Sequence, residues 1–231
     1  MKNKVFATCE EAVADITDGS TIMVGGFLSR GTPSALLIAL HDRNLKELTI
    51  IRNDVAGSSK TPTDVDMLIA QGQVKKVITC FPAFGSPNKV SELEKKVQEG
   101  ATLVELSPQG TLAERIRAGG SGIGAFYTPV GAKTLAADGK EIKTIDGKDM
   151  VLEYALKADF ALIKAYKADK LGNLVYRKTA RNFNPIMAMA AKTTIVEAER
   201  VVEIGDIDPD HVITPAIFVD RIVEVPKRGA V

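Results

Sequence analysis

Few residues in this chain of 231 could carry chemistry. Gln109 stands between a Ser107-Pro108 break and Gly110, and its carboxamide offers two N–H donors without a charge. Such donors suit the negative oxygen that forms when a nucleophile adds to a carbonyl. Read alone, the same residue is an ordinary surface amide. Asn53 and Asp54 close an apolar run, where both are also common turn formers. G-G-S-G-I-G-A over 119–125 is nearly bare of side chains, and G-G-F-L-S-R-G over 25–31 is a second glycine loop. Bare backbone lets a ligand, or another backbone, come close. Other chemistries lack carriers. His41 and His211 stand apart, Cys9 and Cys80 are isolated, and no histidine or cysteine pair has metal-ligand spacing. There is no G-x-S-x-G elbow. The glutamates fall in surface patterns such as Glu92 and Glu94 beside Lys95 and Lys96, and no carboxylate pair is marked as acid and base.

The elements that must position these groups follow from periodicity. Residues 102–106 alternate as a strand, and Pro108 stops it because proline cannot donate to a ladder. Gln109 and Gly110 read as a turn. Thr111 with Glu114 reads as a capping box for a short helix that ends at Gly119 and Gly120. Gln109 thereby falls at the carboxyl end of a strand, where open α/β sheets bind ligands. T-I-M-V over 21–24 is a buried strand running into the 25–31 glycines, and Pro33 suits the first position of a helix over 34–43. Strand, glycine loop and helix start can cradle an anion or simply pack tightly. The spacing is neither a dinucleotide-binding fingerprint nor a Walker loop.

The remaining chain continues the alternation. Thr8 with Glu11 caps a helix over 10–16, and 48–51 is a strand ending at Arg52. A polar loop over 58–64, a helix over 64–71, a strand over 74–80, a loop over 81–88 and a helix over 91–100 follow. Short strands are expected at 133–135, 141–145 and 149–152, with hairpin signals at Asp138-Gly139 and Asp146-Gly147. Further strands are expected at 159–165, 175–177 and 193–196, and a helix over 186–191, because Pro185 disfavours helix at Asn184. The expected class is α/β: an open, mainly parallel wound sheet with flanking helices, and a small antiparallel patch around residues 133–155. No linker or repeat interrupts it, so 1–231 reads as a single domain with loose ends at 1–4 and 226–231.

Composition narrows the function. Thirty basic and 29 acidic residues leave a net charge of +1, so no long-range field draws the chain to nucleic acid or an anionic membrane. Tryptophan is absent and aromatics make up 5%, too few for base-stacking platforms. No apolar run approaches a membrane span. Acidic residues stand where a signal peptide needs its apolar core, and two cysteines make no disulfide framework. A soluble cytoplasmic protein is expected.

Taken in order, V-G-G-F at 24–27, P-Q-G-T-L-A-E-R-I-R-A-G-G at 108–120, A-F-Y-T-P at 125–129 and A-R-N-F-N-P at 180–185 resemble the A (alpha) subunit of the 3-oxoacid and acetate/butyrate CoA-transferases. The resemblance runs from about Ile22 to Val223. It implies a CoA-transferase-like fold and movement of CoA between an acyl-CoA and a free short-chain acid or 3-oxoacid. It implies ping-pong chemistry through a glutamyl-CoA thioester, with the nucleophilic glutamate on a partner B (beta) subunit in an E-N-G context that this chain lacks. An α2β2 assembly follows, with coenzyme A and acyl-CoA as substrates and no permanently bound cofactor or metal. Residue by residue, it implies that Gln109 is an oxyanion donor. Gly25, Gly26, Phe27, Leu28, Ser29, Arg30 and Gly31 are implied to lie against CoA. Asn53 and Asp54 are implied to line the cleft, although Asp54 stands where some relatives have Asn. Gly120, Gly122, Gly124 and Phe126 are expected to line the same cleft. The role of Arg181 to Pro185 stays open between cleft or interface loop and plain helix capping.

Two other readings compete. One is a non-catalytic scaffold that binds a nucleotide or CoA through 25–31. The other is a sugar-phosphate isomerase of related fold, which would need its own acid and base and would rely on Arg30 and Arg52 for phosphate.

Overall fold

The computed structural model describes residues 3–55, 64–82 and 90–225. In chain order these form β1 (Val5–Phe6), α1 (Cys9–Ala12), β2 (Thr21–Val24), α2 (Ser34–Asp42), β3 (Leu48–Ile51), α3 (Asp66–Ala70) and β4 (Val74–Thr79). Then come α4 (Glu92–Gln98), β5 (Leu103–Leu106), α5 (Gln109–Ser121), β6 (Ala125–Thr128), β7 (Ile142–Ile145) and β8 (Lys148–Tyr154). The last are β9 (Ala158–Asp169), β10 (Leu174–Val175), α6 (Asn184–Met189), β11 (Ala191–Val202) and β12 (Arg221–Glu224).

Eight strands make a parallel path in the order β1-β12-β11-β9-β2-β3-β4-β5, and β10 adds antiparallel to β9. Its strands are apolar on both faces, as a parallel sheet covered on both sides requires. Side chains alternate between two cores. Ile22, Ile50, Leu162 and Ile195 join Leu36, Leu40 and Leu68 on the face covered by α1 to α3. Met23, Ile51, Ile163 and Val196 join Leu112, Ile116 and Met187 on the face covered by α5 and α6. The chain steps outward from β2 to β5, then crosses back to β9, which pairs with the other side of β2. That reversal is a topological switch point, and the crevice above its carboxyl ends is where such sheets place ligands.

A second sheet, β6-β8-β7, is antiparallel. Asp146 and Gly147 (φ 51° and 72°) turn the β7–β8 hairpin, pairing Ile145 with Lys148 in the type I′ geometry their sequence favours. The strand expected at 133–135 is absent: Leu135–Ala137 is a short 3-10 turn, and Asp138-Gly139 leads into β7 without joining two strands. The third strand is instead Ala125–Thr128, whose glycine-rich approach masks its β-branched and aromatic pattern.

Three further expectations change. α5 starts at Gln109 with Pro108 before it, so Gln109 is the first helical residue and Thr111 lies inside the helix as no cap. The Thr111 hydroxyl is buried without a partner among the described residues. The helix also continues through Gly119 and Gly120 to Ser121, ending at Gly122 (φ 76°). That glycine pair serves close packing: a β-carbon on Gly120 would stand 2.7 Å from that of Met189. α6 includes Asn184, since Pro185 sits where a helix start needs no N–H donor. The expected loop over 58–64 lies outside the described residues except Asp64, and most of the loop over 81–88 does too.

Candidate active site at the carboxyl ends of β2 to β5

Four strand ends deliver the site. β2 runs into the 25–31 loop, β3 into Arg52, Asn53 and Asp54, β4 into Cys80 and Phe81, and β5 through Ser107 and Pro108 into Gln109. Phe27, Leu28, Asn53, Asp54, Cys80, Phe81 and Gln109 line one cavity of about 370 Å³.

Its polar floor is a chain of amides anchored on a carboxylate. Asn53 Nδ2 donates to Asp54 Oδ1 at 2.7 Å, and Gln109 Nε2 donates to Asn53 Oδ1 at 2.8 Å. An ionised carboxylate only accepts, so Asn53 must turn its nitrogen to Asp54 and its oxygen outward. That oxygen in turn demands a donor from Gln109. Only one of the two Nε2 hydrogens is used by Asn53, and the second has no partner among the described residues. Gln109 also heads a helix of 13 residues, whose first N–H groups add positive potential at the cavity edge.

Cys80 closes the network. Its thiol donates to the Asn53 carbonyl at 2.8 Å and approaches Asn53 Oδ1 at 3.2 Å. Burial, with Asp54 nearby, pushes the thiol up to about 11, so it stays protonated and acts as a donor rather than a nucleophile.

The apolar wall is a tight turn. Phe27 and Arg30 exchange backbone bonds of 3.0 and 2.8 Å, with Leu28 and Ser29 between them at φ 44° and 65°. Left-handed backbone costs a non-glycine residue about 1–2 kcal/mol. Asp54 holds the turn, because both its oxygens accept from Leu28 N at 3.2 Å. Beneath it, Arg52 is fully buried and donates to the Asp54 carbonyl (2.9 Å), the Gly25 carbonyl (2.7 Å), Thr32 Oγ1 (3.0 Å) and Asp64 Oδ2 (2.7 Å). Burial pushes the Asp64 carboxyl up, against the pull of Arg52.

The A-R-N-F-N-P segment now has a structural task. Asn182 Nδ2 donates to Arg30 O at 2.8 Å, and Asn184 Nδ2 donates to Gly31 O and Ala180 O at 3.1 and 2.8 Å. Asn184 Oδ1 accepts from Lys164 N at 3.0 Å. Two asparagines thus fix the back of the glycine loop. Their spacing, N-x-N before a proline, is the signal that could have suggested it.

Not every expected residue joins the cavity. Ser29, Arg30 and Gly31 border a different hollow of about 360 Å³ beside Lys164, Tyr166 and Arg177. Gly120 is eleven residues along α5 from Gln109, about 16 Å at 1.5 Å per residue. Gly122 and Gly124 follow it, and Phe126 sits on β6 opposite Glu153. None of these four lines the cavity around Asn53 and Gln109.

The buried carboxylates are committed elsewhere. Glu197 bonds Lys164 Nζ and Ala35 N, Glu153 pairs with Lys140, Asp169 accepts from 171–173, and Asp64 holds Arg52. Among the described residues, Asp54 is the one carboxylate lining the cavity, and it is spent on Asn53 and Leu28. No cluster of three His, Cys, Asp or Glu suited to a metal occurs among them. No helix of the described residues is long and apolar enough to cross a membrane. Arg52, buried and committed to Gly25, Thr32, Asp54 and Asp64, cannot meet a phosphate, which leaves Arg30 as the one cation of the pair an isomerase would need.

A family model described as Coenzyme A transferase matches residues 6–225. The A chain of the 3-oxoadipate CoA-transferase of Pseudomonas putida is 52% identical over 230 residues, covering 100% of this chain and 97% of its own. The A chain of the succinyl-CoA:3-ketoacid coenzyme A transferase of Xanthomonas campestris pv. campestris (strain B100) is 49% identical over 221 residues, covering 95% and 88%. The acyl-CoA transferase YdiF of E. coli O157:H7, solved as a thioester complex with CoA, matches the fold at TM-score 0.83 and 20% identity, over 99% of this chain and 48% of that one.

Proposed function

This chain belongs to the coenzyme A transferase family, and we propose that within it the chain is the A (alpha) member of a two-subunit enzyme moving CoA between an acyl-CoA and a free short-chain acid or 3-oxoacid. The observation that carries the reading is the Gln109 amide, turned donor-outward by Asn53 and Asp54 at the edge of an open cavity.

On this reading the nucleophilic carboxylate sits on a B subunit, in an α2β2 assembly. A partner carboxylate adds to the acyl-CoA carbonyl, and negative charge gathers on that oxygen. Gln109 Nε2–H donates to it, and the intermediate expels CoA thiolate to leave an acyl–carboxyl anhydride. The thiolate then adds to the enzyme-side carbonyl, the first acid departs as carboxylate, and the enzyme carries a thioester. The acceptor acid runs the steps in reverse. Gln109 serves each addition on its side of the cleft, while Phe27 and Leu28 press against the pantetheine arm and exclude water. Coenzyme A is substrate throughout, and no permanent cofactor is invoked. The two free cysteines suit a reducing cytoplasm.

Reconstitution tests the reading. CoA transfer from acetyl-CoA to acetoacetate or butyrate is expected when this chain is mixed with a B subunit carrying the E-N-G glutamate, and not with either chain alone. Transfer by this chain alone would place the nucleophile here and overturn it.

A further inference from the structure

Asp54 cannot itself be the attacking carboxylate, since its oxygens are taken up by Asn53 Nδ2 at 2.7 Å and Leu28 N at 3.2 Å. It is 4% exposed, and nothing in the transfer chemistry uses it directly. A buried charge persists only where its bonds justify its desolvation. Those bonds converge on the orientation of two amides. Either amide of the Asn53–Gln109 pair could be reversed end for end without changing shape. Reversal of both would keep an N–H···O bond between them but turn the Gln109 carbonyl oxygen to the cavity. A carbonyl oxygen aimed at a developing oxyanion repels it. The acceptor-only carboxylate forbids that state, because a reversed Asn53 would put oxygen against oxygen.

We propose that Asp54 is a positioning residue for CoA transfer: by accepting from Asn53 it locks the Gln109 amide with its N–H donors toward the reacting carbonyl, and by accepting from Leu28 it sets the apolar wall beside that amide. The inference rests on the CoA-transferase reading of Gln109. It adds that the donor's direction is fixed two residues away, through hydrogen bonds and not through packing.

The test is a double-mutant cycle on the assembled two-subunit enzyme, following thioester formation from acyl-CoA in a single turnover. Asp54→Ala is expected to slow that step about tenfold to a hundredfold, part of the loss seen when an oxyanion donor is removed, with KM for acyl-CoA within about twofold. Asp54→Asn can still turn an acceptor to Asn53 but no longer forbids the reversed amides, so its rate is expected between those of Asp54→Ala and wild type. Combined with Gln109→Ala, Asp54→Ala should add nothing to the loss from Gln109→Ala alone. Fold-losses that multiply in the double variant, or a wild-type rate in Asp54→Ala, would overturn the proposal. If Asp54→Ala fails to assemble, Asn53→Ser asks the same of the link, since it spares the Asp54–Leu28 bonds, and the same non-additivity with Gln109→Ala is required. A wild-type pair that moves no CoA would instead defeat the underlying reading, so the two failures are distinct.

Discussion

A β-carbon placed on Gly25 would stand 1.8 Å from Asn184 Oδ1, so the first residue after β2 and the first residue of α6 meet where no side chain fits. Asn184 is already engaged with Gly31 O, Ala180 O and Lys164 N. The glycine is therefore required by its neighbour, and the glycine loop is positioned from behind by α6.

Gly25→Ala should destabilise the chain by about 1–3 kcal/mol, the usual range for forcing a methyl group into a packed site. Urea unfolding of the two proteins measures it. An unchanged midpoint would mean that Asn184 can swing aside at no cost.

Arg52→Leu should cost more, about 3–5 kcal/mol, because it strands the Asp64 carboxylate and two carbonyls in the interior. The pH dependence has a definite sign. The folded Asp64 carboxyl is raised above its ordinary value. The native state therefore holds that proton more tightly than the unfolded chain, and its contribution to stability falls as pH rises through the window above 3.8. Removing Arg52 removes the main influence pulling the carboxyl down and widens the window. The deficit of the variant relative to wild type should be larger at pH 7 than just above pH 3.8, the ordinary value; equal deficits would contradict the account.

Much of this arrangement was legible in the sequence, for identifiable reasons. T-I-M-V at 21–24 and L-T-I-I at 48–51 are short apolar runs bounded by turn residues, and a parallel strand covered on both faces has to look like that. Pro108 marked the end of β5 and so placed Gln109 at the correct end of the sheet. Local signals misled where tertiary contacts overruled them. Gly119 and Gly120 look like a helix stop, but they are the places where α5 presses on Leu156 and Met189. Thr111 and Glu114 match a capping box, yet the helix is capped at Pro108, three residues earlier. Gly120 stands in the same motif as Gln109, but nearly the whole length of α5 lies between them. The partnership of Asp54 with Asn53 and Leu28 joins three positions through one carboxylate, and no spacing rule announces such a bond.

Both thiols should be slow to react in the native protein. Burial, the leading cause at each, pushes Cys9 up to about 12 and Cys80 up to about 11. At pH 8 the thiolate fraction is small at both, so iodoacetamide should label the native chain far more slowly than the chain in urea, where both cysteines react as free thiols. Rapid labelling of Cys80 at pH 8 would show that its thiol is not held by Asn53 as the geometry requires.

The central claim is that Gln109 presents an N–H donor to the carbonyl under attack. The most direct measurement is single-turnover thioester formation by Gln109→Ala in the assembled enzyme, beside wild type. Loss of one such donor should lower the rate constant by about 10²–10³, with assembly intact because the side chain's bond to Asn53 carries little of the fold. A wild-type rate constant in a correctly assembled variant would contradict the claim.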